Sequence, residues 1–495
     1  MSSPSAKRPW IPLLLGFLLA SRFALLILAP HTDPSESRYA EIARKMAETG
    51  DWITPQFDYG IPFWAKPPLS IWMSAAGIEL FGANEFGSRI FIFLGSLVVL
   101  AMVADRARRE FGGKSGWTAA LILTGMPLFF FCSAAVMTDA ALLLGTTLSM
   151  LCFRDAMLGG SRAKGLGIFV GFAIGLLAKG PLALVISIPP MLGWTVLTGR
   201  WRQAWHRLPW FSGTLLMLAL SLPWYLAAEQ KTPGFLEYFL IGEHWKRFTV
   251  RGWQGDLYGN AHPVYPGMIW VYLVLGSFPW CLPLFRTVPA SWQTFKRWSL
   301  EHDARGIYWI LWATWPVLFF TPARNIIATY PLPALPALAL LLTDLACARN
   351  PSRPIHPAIA IGSMSLVSWA LIIGLFLPNL SPKQSERELV RRFEKEHVPG
   401  EILVYYGPRK YSAEFYTAGG VRHTASATEL ENLLEAPGRC FVALPSYWMP
   451  MVPPRIQRRL QPVLTRPDGP SLYVKRMDAP ELGRIDLSKT LPIGN

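Results

Sequence analysis

The sequence predicts an α-helical polytopic membrane protein with a small α/β domain at its C-terminal end. Three observations predict it. Of the 495 residues, 52% are hydrophobic and only 16% charged, where a soluble chain carries about a quarter charged. The apolar residues fall in blocks of about 18–22, the length that crosses a hydrocarbon core roughly 30 Å thick. The 21 tryptophans suit the water–lipid boundary, where the ring is buried and its N–H stays wet.

Eleven blocks read as spans: 10–30, 87–104, 116–132, 136–155, 165–178, 181–198, 209–228, 264–285, 306–321, 329–346 and 357–377. The first follows Lys7, Arg8 and Pro9 but ends at Ala29-Pro30-His31 without a small-residue cleavage pattern, so it is expected to stay as an uncleaved span. Residues 69–82 are apolar but short and are expected to lie at the interface as a helix.

Basic residues give the orientation. Lys7/Arg8, Arg106/Arg108/Arg109/Lys114, Arg162/Lys164, Arg200/Arg202/Arg207, Arg286/Lys296/Arg297/Arg305 and Arg349/Arg353 all fall in the loops on one side, which is then the inside. The formal net charge of +15 is explained largely by those loops, whose basic residues hold the topology and meet anionic lipid headgroups, so nucleic acid is not expected as a partner. Cys132, Cys152, Cys281, Cys347 and Cys440 show neither a disulfide framework nor zinc spacing; all five read as small buried hydrophobes. No metal or cofactor is expected.

Two domains follow: 1–378 in the membrane, with 31–86 as its first outer loop, and 379–495 outside. In the tail, Ser385–His397 reads as a charged helix with Leu389 and Phe393 on one face. Strands are expected at 401–406, Cys440–Leu444 and Ser471–Lys475, and helices near 411–418 and 427–436, the alternation of an α/β domain. An accessory lid or docking role is expected for it.

The first outer loop holds the strongest chemical signals. Tyr39, Ile42 or Ala43, and Met46 recur at helical spacing, giving an amphipathic helix. Asp33 is placed to cap it, Pro34 suits its first turn, and Glu36 completes an arrangement like a capping box. That structural reading competes with a catalytic one for both carboxylates. Further on, Lys66 lies in Phe63-Trp64-Ala65-Lys66-Pro67-Pro68. Proline stiffens the chain there, and the cation is placed either to pair with a lipid phosphate or to snorkel. Asp139, Lys179, Glu243-His244 with Lys246-Arg247, and Arg324, Asn325 and Tyr330 come at other outer ends. Ionisable groups at membrane depth are functional candidates, and this mixture suits an anionic substrate with a leaving phosphate.

These motifs occur in a familiar order: Glu36-Ser-Arg-Tyr-Ala-Glu-Ile, Gly50-Asp51-Trp52-Ile53-Thr54-Pro55, Lys66-Pro67, Phe81-Gly82-Ala83-Asn84-Glu85-Phe86-Gly87, Asp139, Ala178-Lys179-Gly180, Glu243-His244 with Arg247-Phe248, and Thr329-Tyr330. Over about 10–346 the chain resembles the lipid A aminoarabinose transferases and the bacterial protein O-mannosyltransferase-like enzymes, the GT-C glycosyltransferases of family 39. The resemblance implies a polyprenyl (undecaprenyl) phosphate-linked sugar as donor, a lipid A, glycan or protein acceptor, and an active site facing the periplasm from the bacterial inner membrane. It implies that Lys66, Lys179, Arg247 and Tyr330 contact the donor phosphate, that Arg38, Tyr39 and His244 shape the pocket, and that Asp139 is the family's acidic residue in the second outer turn. Two positions depart from the family. Ser35 stands where it has Asp, and Ala65 where the aminoarabinose enzymes have Glu. A general base is then expected from Asp33 or Glu36, unless the acceptor is a phosphate and needs none, and Asp139 stands with them as a catalytic candidate. Loss of both carboxylates also argues against a cationic amino sugar. The competing expectations are a transporter or flippase of lipid-linked sugars, for which the chain lacks the usual repeat symmetry, and a scaffold working through its tail.

Overall fold

A computed structural model describes residues 10–259, 262–282, 292–349, 384–466 and 469–476. The described chain divides into two compact units. One holds residues 10–29 and 35–349; the other holds residues 30–34 and 384–476. The strap 30–34, expected as the start of the first outer loop, thus belongs to the C-terminal unit. The span expected at 357–377, the end of that at 264–285, and Arg286 and Arg353 lie outside the described residues.

The first unit is helical. α1 (Trp10–Leu28) leads through the strap to α2 (Ser35–Thr49), a short hairpin of β1 (Gln56–Asp58) and β2 (Ile61–Pro62), and α3 (Leu69–Phe81). Then come α4 (Glu85–Phe111), α5 (Ser115–Thr124), α6 (Pro127–Cys132), α7 (Thr138–Met157), α8 (Arg162–Lys179), α9 (Leu182–Leu197), α10 (Trp201–Arg207) and α11 (Trp210–Lys231). Helices at Met268–Ser277, Trp292–Phe320 and Leu335–Arg349 complete the unit. Four described helices, α1, α4, α7 and α11, are both long and apolar enough to cross a membrane.

One expected span is broken. The block 116–132 divides between α5 and α6 at Met126, whose extended backbone precedes Pro127 at the first position of α6; proline lacks the N–H that a continuous helix needs. Arg22 of α1 covers the end of α6, its guanidinium donating to the carbonyls of Phe130 (2.7 Å) and Phe131 (2.9 Å). The span expected at 306–321 matches the end of the helix Trp292–Phe320, which is kinked just before it, with His302, Asp303 and Ala304 at φ of 50°, 60° and 54°. That left-handed backbone is costly for residues other than glycine. Arg154 donates to the His302 carbonyl at 3.2 Å and Trp194 to that of Ala304 at 3.0 Å, which holds the kink in place.

α7 and α8 pack along their length on a seam of small residues. α8 carries Gly167, Gly171 and Gly175 at four-residue spacing, facing Gly145, Ser149 and Cys152 of α7. A β-carbon on Gly145 would sit 2.6 Å from the Gly171 carbonyl oxygen, so the backbones touch. Helices in lipid associate through such close packing rather than through the hydrophobic effect. Ser149 adds a hydroxyl donated to the Ile168 carbonyl at 2.9 Å. Gly171→Leu is expected to destabilise the protein by about 1–3 kcal/mol, the range for overpacking, read as a lower melting temperature of the solubilised protein.

In the second unit, β3 (Ile402–Tyr406), β4 (Val421–Thr424), β5 (Cys440–Pro445), β6 (Leu460–Leu464) and β7 (Pro470–Lys475) form a mixed sheet in the order β4-β3-β5-β7-β6. β3 pairs parallel with β4 and β5, while β7 pairs antiparallel with β5 and β6. Side chains alternate between faces. Leu403, Tyr405, Phe441 and Ala443 pack with Leu389 and Phe393 of helix Arg387–Glu396 on one side. Val404, Tyr406, Val442 and Leu444 pack with Leu430 and Leu434 of helix Ala427–Glu435 on the other. β4 and β6 have no counterpart in the sequence reading.

Within this unit Asp33 holds the first turn of a helix. Its two carboxylate oxygens accept from the backbone N–H (3.0 Å) and the hydroxyl of Ser412, in the first turn of helix Tyr411–Tyr416.

Candidate active site

The site is built from α2 upward. Tyr39, Ile42, Ala43 and Met46 are all buried, as the helical spacing predicts. The charged side of α2 is tied down as well: Arg44 grips Glu41 through two bonds of 2.7 and 2.8 Å and reaches Glu48 and Tyr59. The hairpin then delivers Phe63 against Tyr39, edge-on with centroids 5.8 Å apart, and against Tyr258. Tyr258 donates its hydroxyl to the Pro62 carbonyl (2.8 Å) and accepts from the Trp64 N–H (3.0 Å). Burial pushes its phenol up to about 12, so it serves as a neutral clasp. Lys66 is therefore carried on a fixed stretch of chain.

Lys66 meets the second outer segment. That segment coils as a π-helix over Tyr238–Lys246, a form enriched at functional sites. Lys66 Nζ donates to Glu243 Oε2 at 2.6 Å and to its neighbour's carbonyl, Ala65, at 2.7 Å. Arg247 Nη1 lies 3.1 Å from each Glu243 oxygen and 3.2 Å from Asp256 Oδ2. Burial pushes the Glu243 carboxyl up, but Lys66 and Arg247 outweigh it and hold the group below its ordinary value. Arg247 is in turn fixed from behind by Asn325, whose amide donates to the carbonyls of Arg247 and Val250, both at 2.7 Å, and accepts from the Gly252 N–H at 3.0 Å.

The glycine seam of α7 and α8 brings a second pair together. Asp139 in the first turn of α7 and Lys179 at the last position of α8 form a buried ion pair of 2.7 Å. Lys179 Nζ lies 4.6 Å from the centre of the Tyr330 ring, a favourable cation–π distance. The chain turns at Gly180 (φ 72°), where a β-carbon would meet Phe239 at 2.5 Å and His244 at 3.3 Å. His244 faces the Phe239 carbonyl with Nδ1 (2.8 Å) and the Lys179 carbonyl with Nε2 (3.1 Å). Burial holds its pKa below the ordinary value, and a neutral imidazole has one N–H for those two acceptors.

The two pairs form one cluster. Tyr39 feels the charges of Arg38, Lys179, Glu243 and Asp139, and burial raises its pKa so that it stays a phenol. Arg247 in turn feels Tyr330 and Tyr39. Arg38 Nη1 donates to the Tyr258 carbonyl, and its guanidinium lies 5.7 Å from the Tyr39 ring centre. Eight of the ten expected site residues thus come together: Arg38, Tyr39, Lys66, Lys179, His244, Arg247 and Tyr330, with Asp139 joined to them through Lys179. Glu36 is engaged in a buried tie, accepting from Arg89 Nε at 2.8 Å and the Val136 N–H at 3.3 Å, while Arg89 also reaches the carbonyls of Leu26 and Ala29. Asp33 lies in the second unit. Asp256, Tyr258 and Tyr238, whose hydroxyl donates to Glu243 Oε1 at 3.4 Å, are partners that the motifs do not mark, while Glu243 and Asn325 stand beside expected residues in Glu243-His244 and Arg324-Asn325.

The chemistry follows from exposure. Side chains of Lys66 and Arg247 are 17% and 19% exposed, against 1% for Glu243 beneath them. Two fixed, partly exposed cations thus lie over a buried carboxylate, and such cations are able to pair with an anion such as phosphate.

A family model described as dolichyl-phosphate-mannose-protein mannosyltransferase matches residues 17–239. The undecaprenyl phosphate-alpha-4-amino-4-deoxy-L-arabinose arabinosyl transferase of Edwardsiella ictaluri (strain 93-146) is 32% identical over 340 residues, 66% of this chain and 58% of that one. Its namesake in Shewanella sediminis (strain HAW-EB3) is 30% identical over 369 residues, 71% of this chain and 63% of that one. The chain therefore spans about three fifths of the length of these curated relatives. The crystal structure of ArnT from Cupriavidus metallidurans bound to undecaprenyl phosphate matches with a TM-score of 0.74 at 19% identity, over 95% of this chain and 98% of that one. The helical GT-C fold is shared.

Proposed function

We propose, on the premise that the chain is a GT-C membrane protein resembling the aminoarabinosyl- and protein-mannosyltransferases, that it moves a sugar from polyprenyl phosphate to a lipid A, glycan or protein acceptor. The observation that carries this is the partly exposed pair Lys66 and Arg247, fixed over Glu243. Charge supports it too. Arg38, Lys66, Lys179 and Arg247 supply four positive charges and Asp139, Glu243 and Asp256 three negative ones. The surplus of one suits the single charge of a phosphodiester-linked donor.

The reaction is a displacement with inversion. An acceptor oxygen attacks the anomeric carbon, the bond from that carbon to the phosphate oxygen breaks, and its electron pair stays on the phosphate. Lys66 and Arg247 stabilise the charge that develops there, commonly the largest catalytic contribution. Each expected catalytic carboxylate is engaged: Glu36 with Arg89, Asp33 with Ser412, Asp139 with Lys179. This favours an acceptor that is already ionised, such as a phosphate group of lipid A, over a hydroxyl. Eleven spans, an active site and a second domain (379–495) facing the periplasm, and a membrane domain of 1–378 belong to the same reading, supported by the basic residues of the inner loops.

The test is transfer by the full chain reconstituted in vesicles with undecaprenyl phosphate-linked sugars and lipid A. Mass spectrometry is expected to show free undecaprenyl phosphate and lipid A heavier by one sugar. A lipid-linked sugar moved across the vesicle with its phosphodiester intact would instead identify a flippase and end the transferase reading.

A further inference from the structure

The resting site already contains an anion where the donor phosphate would bind. The Glu243 carboxylate presents two oxygens to the same cations that a phosphate would engage with two of its own: Oε2 to Lys66, and both oxygens to Arg247 Nη1. Those cations are not exhausted by it. Lys66 has three N–H donors and uses two, on Glu243 and Ala65. Among the described residues Arg247 spends only Nη1, on Glu243 and Asp256, leaving its Nε and Nη2 edge for a ligand. Asp256 adds a second negative charge behind the arginine. A site built only to attract phosphate would not place two carboxylates on one guanidinium.

The proposed reaction supplies a reason. This inference rests on the polyprenyl-phosphate reading above. The donor is a phosphodiester with one negative charge. When the bond to the sugar breaks, the electron pair stays on the phosphate, and the spent carrier is a phosphomonoester of about −1.5 to −2 charge at pH 7, by analogy with phosphorylated side chains. Unopposed cations would therefore hold the product more tightly than the donor. A fixed negative charge beside them repels the dianion about twice as strongly as the monoanion, since the interaction scales with the product of charges.

We propose that Glu243 is a built-in counter-anion that shares Lys66 and Arg247 with the carrier phosphate and sets how readily the spent carrier leaves. Glu243 is a positioning residue in this role: it acts through the two cations and touches no reacting atom.

The experiment compares purified full-length wild type with Glu243→Gln, which keeps shape and removes charge. Equilibrium binding of undecaprenyl phosphate is measured beside single-turnover and steady-state rates with the sugar-loaded donor. The variant is expected to bind undecaprenyl phosphate about tenfold tighter, to keep its single-turnover rate within about threefold, and to slow at steady state, so that a burst precedes it. Glu243→Asp, which restores the charge, is expected to return affinity toward wild type. If Glu243→Gln fails to fold, Asp256→Asn tests the same idea, with about threefold tighter binding expected. Weaker binding, or equal losses in single-turnover and steady-state rates, would mean that Glu243 only orders the two cations and would overturn the proposal. Absence of undecaprenyl phosphate binding by wild type would instead sink the transferase reading and this inference with it.

Discussion

Lys66→Ala is expected to cut turnover by about 10²–10³-fold, the usual cost of removing one preorganised donor from a developing negative charge. The fold should survive. Lys66 side-chain atoms are partly exposed, and the chain around them is held by other groups: Tyr258 clasps Pro62 and Trp64, and Trp64 donates its indole N–H to Thr232 at 3.1 Å. The buried Glu243 keeps Arg247 as a partner, so no carboxylate is stranded. The expected signature is a large fall in kcat/KM for the lipid-linked donor with little change in melting temperature. Lys66→Arg is not expected to restore the rate. A guanidinium is larger and planar, with its donors in a fixed fork, and the present ammonium fits 2.6 and 2.7 Å contacts on two sides. Full activity in Lys66→Ala would remove the main support for the proposed chemistry.

The sequence shows some of this site plainly and hides the rest for physical reasons. Local periodicity is legible: α2 buries the face that Tyr39, Ile42 and Met46 mark out, and the alternating strands and helices of the tail match the observed β3, β5 and β7. Two further features are visible in the sequence. Gly125-Met-Pro127 announces the break between α5 and α6, and the glycines at 167, 171 and 175 announce a helix seam. Hydropathy alone conceals both, since glycine and proline are tolerated inside apolar blocks. The short α10 and the π-helix at Tyr238–Lys246 mix aromatic and charged residues and so show no clean period. Partners distant in the chain are beyond spacing arguments altogether. Glu36 finds Arg89 53 residues away, Lys66 finds Glu243 177 residues away, and Asp33 finds Ser412 379 residues away. In each case the residue type suggested a role, while the tertiary partner decided it. That is why the cations could be assembled from motifs while the carboxylates could not be assigned.

The buried pair Asp139–Lys179 separates stability from chemistry. Both side chains are nearly inaccessible, at 4% and 7%, and they meet at 2.7 Å where α7 and α8 end on the same side. Removing one member leaves a buried charge unpaired, so Asp139→Ala is expected to cost about 3–5 kcal/mol, read as a sharply lower melting temperature and reduced yield. The neutral double variant Asp139→Leu with Lys179→Met is expected to regain most of that stability, because apolar replacements of a buried pair are often neutral or better and the glycine seam still sets the helix approach. Its activity is expected to stay low. Lys179 also lies over the Tyr330 ring and lends its carbonyl to His244, and only the charge is lost in the double variant, since the carbonyl remains. A double variant that folds but does not turn over would show that the lysine charge serves the substrate. One that folds and retains near-wild-type turnover would make the pair a structural strut, and the phosphate site would then shrink to Lys66 and Arg247.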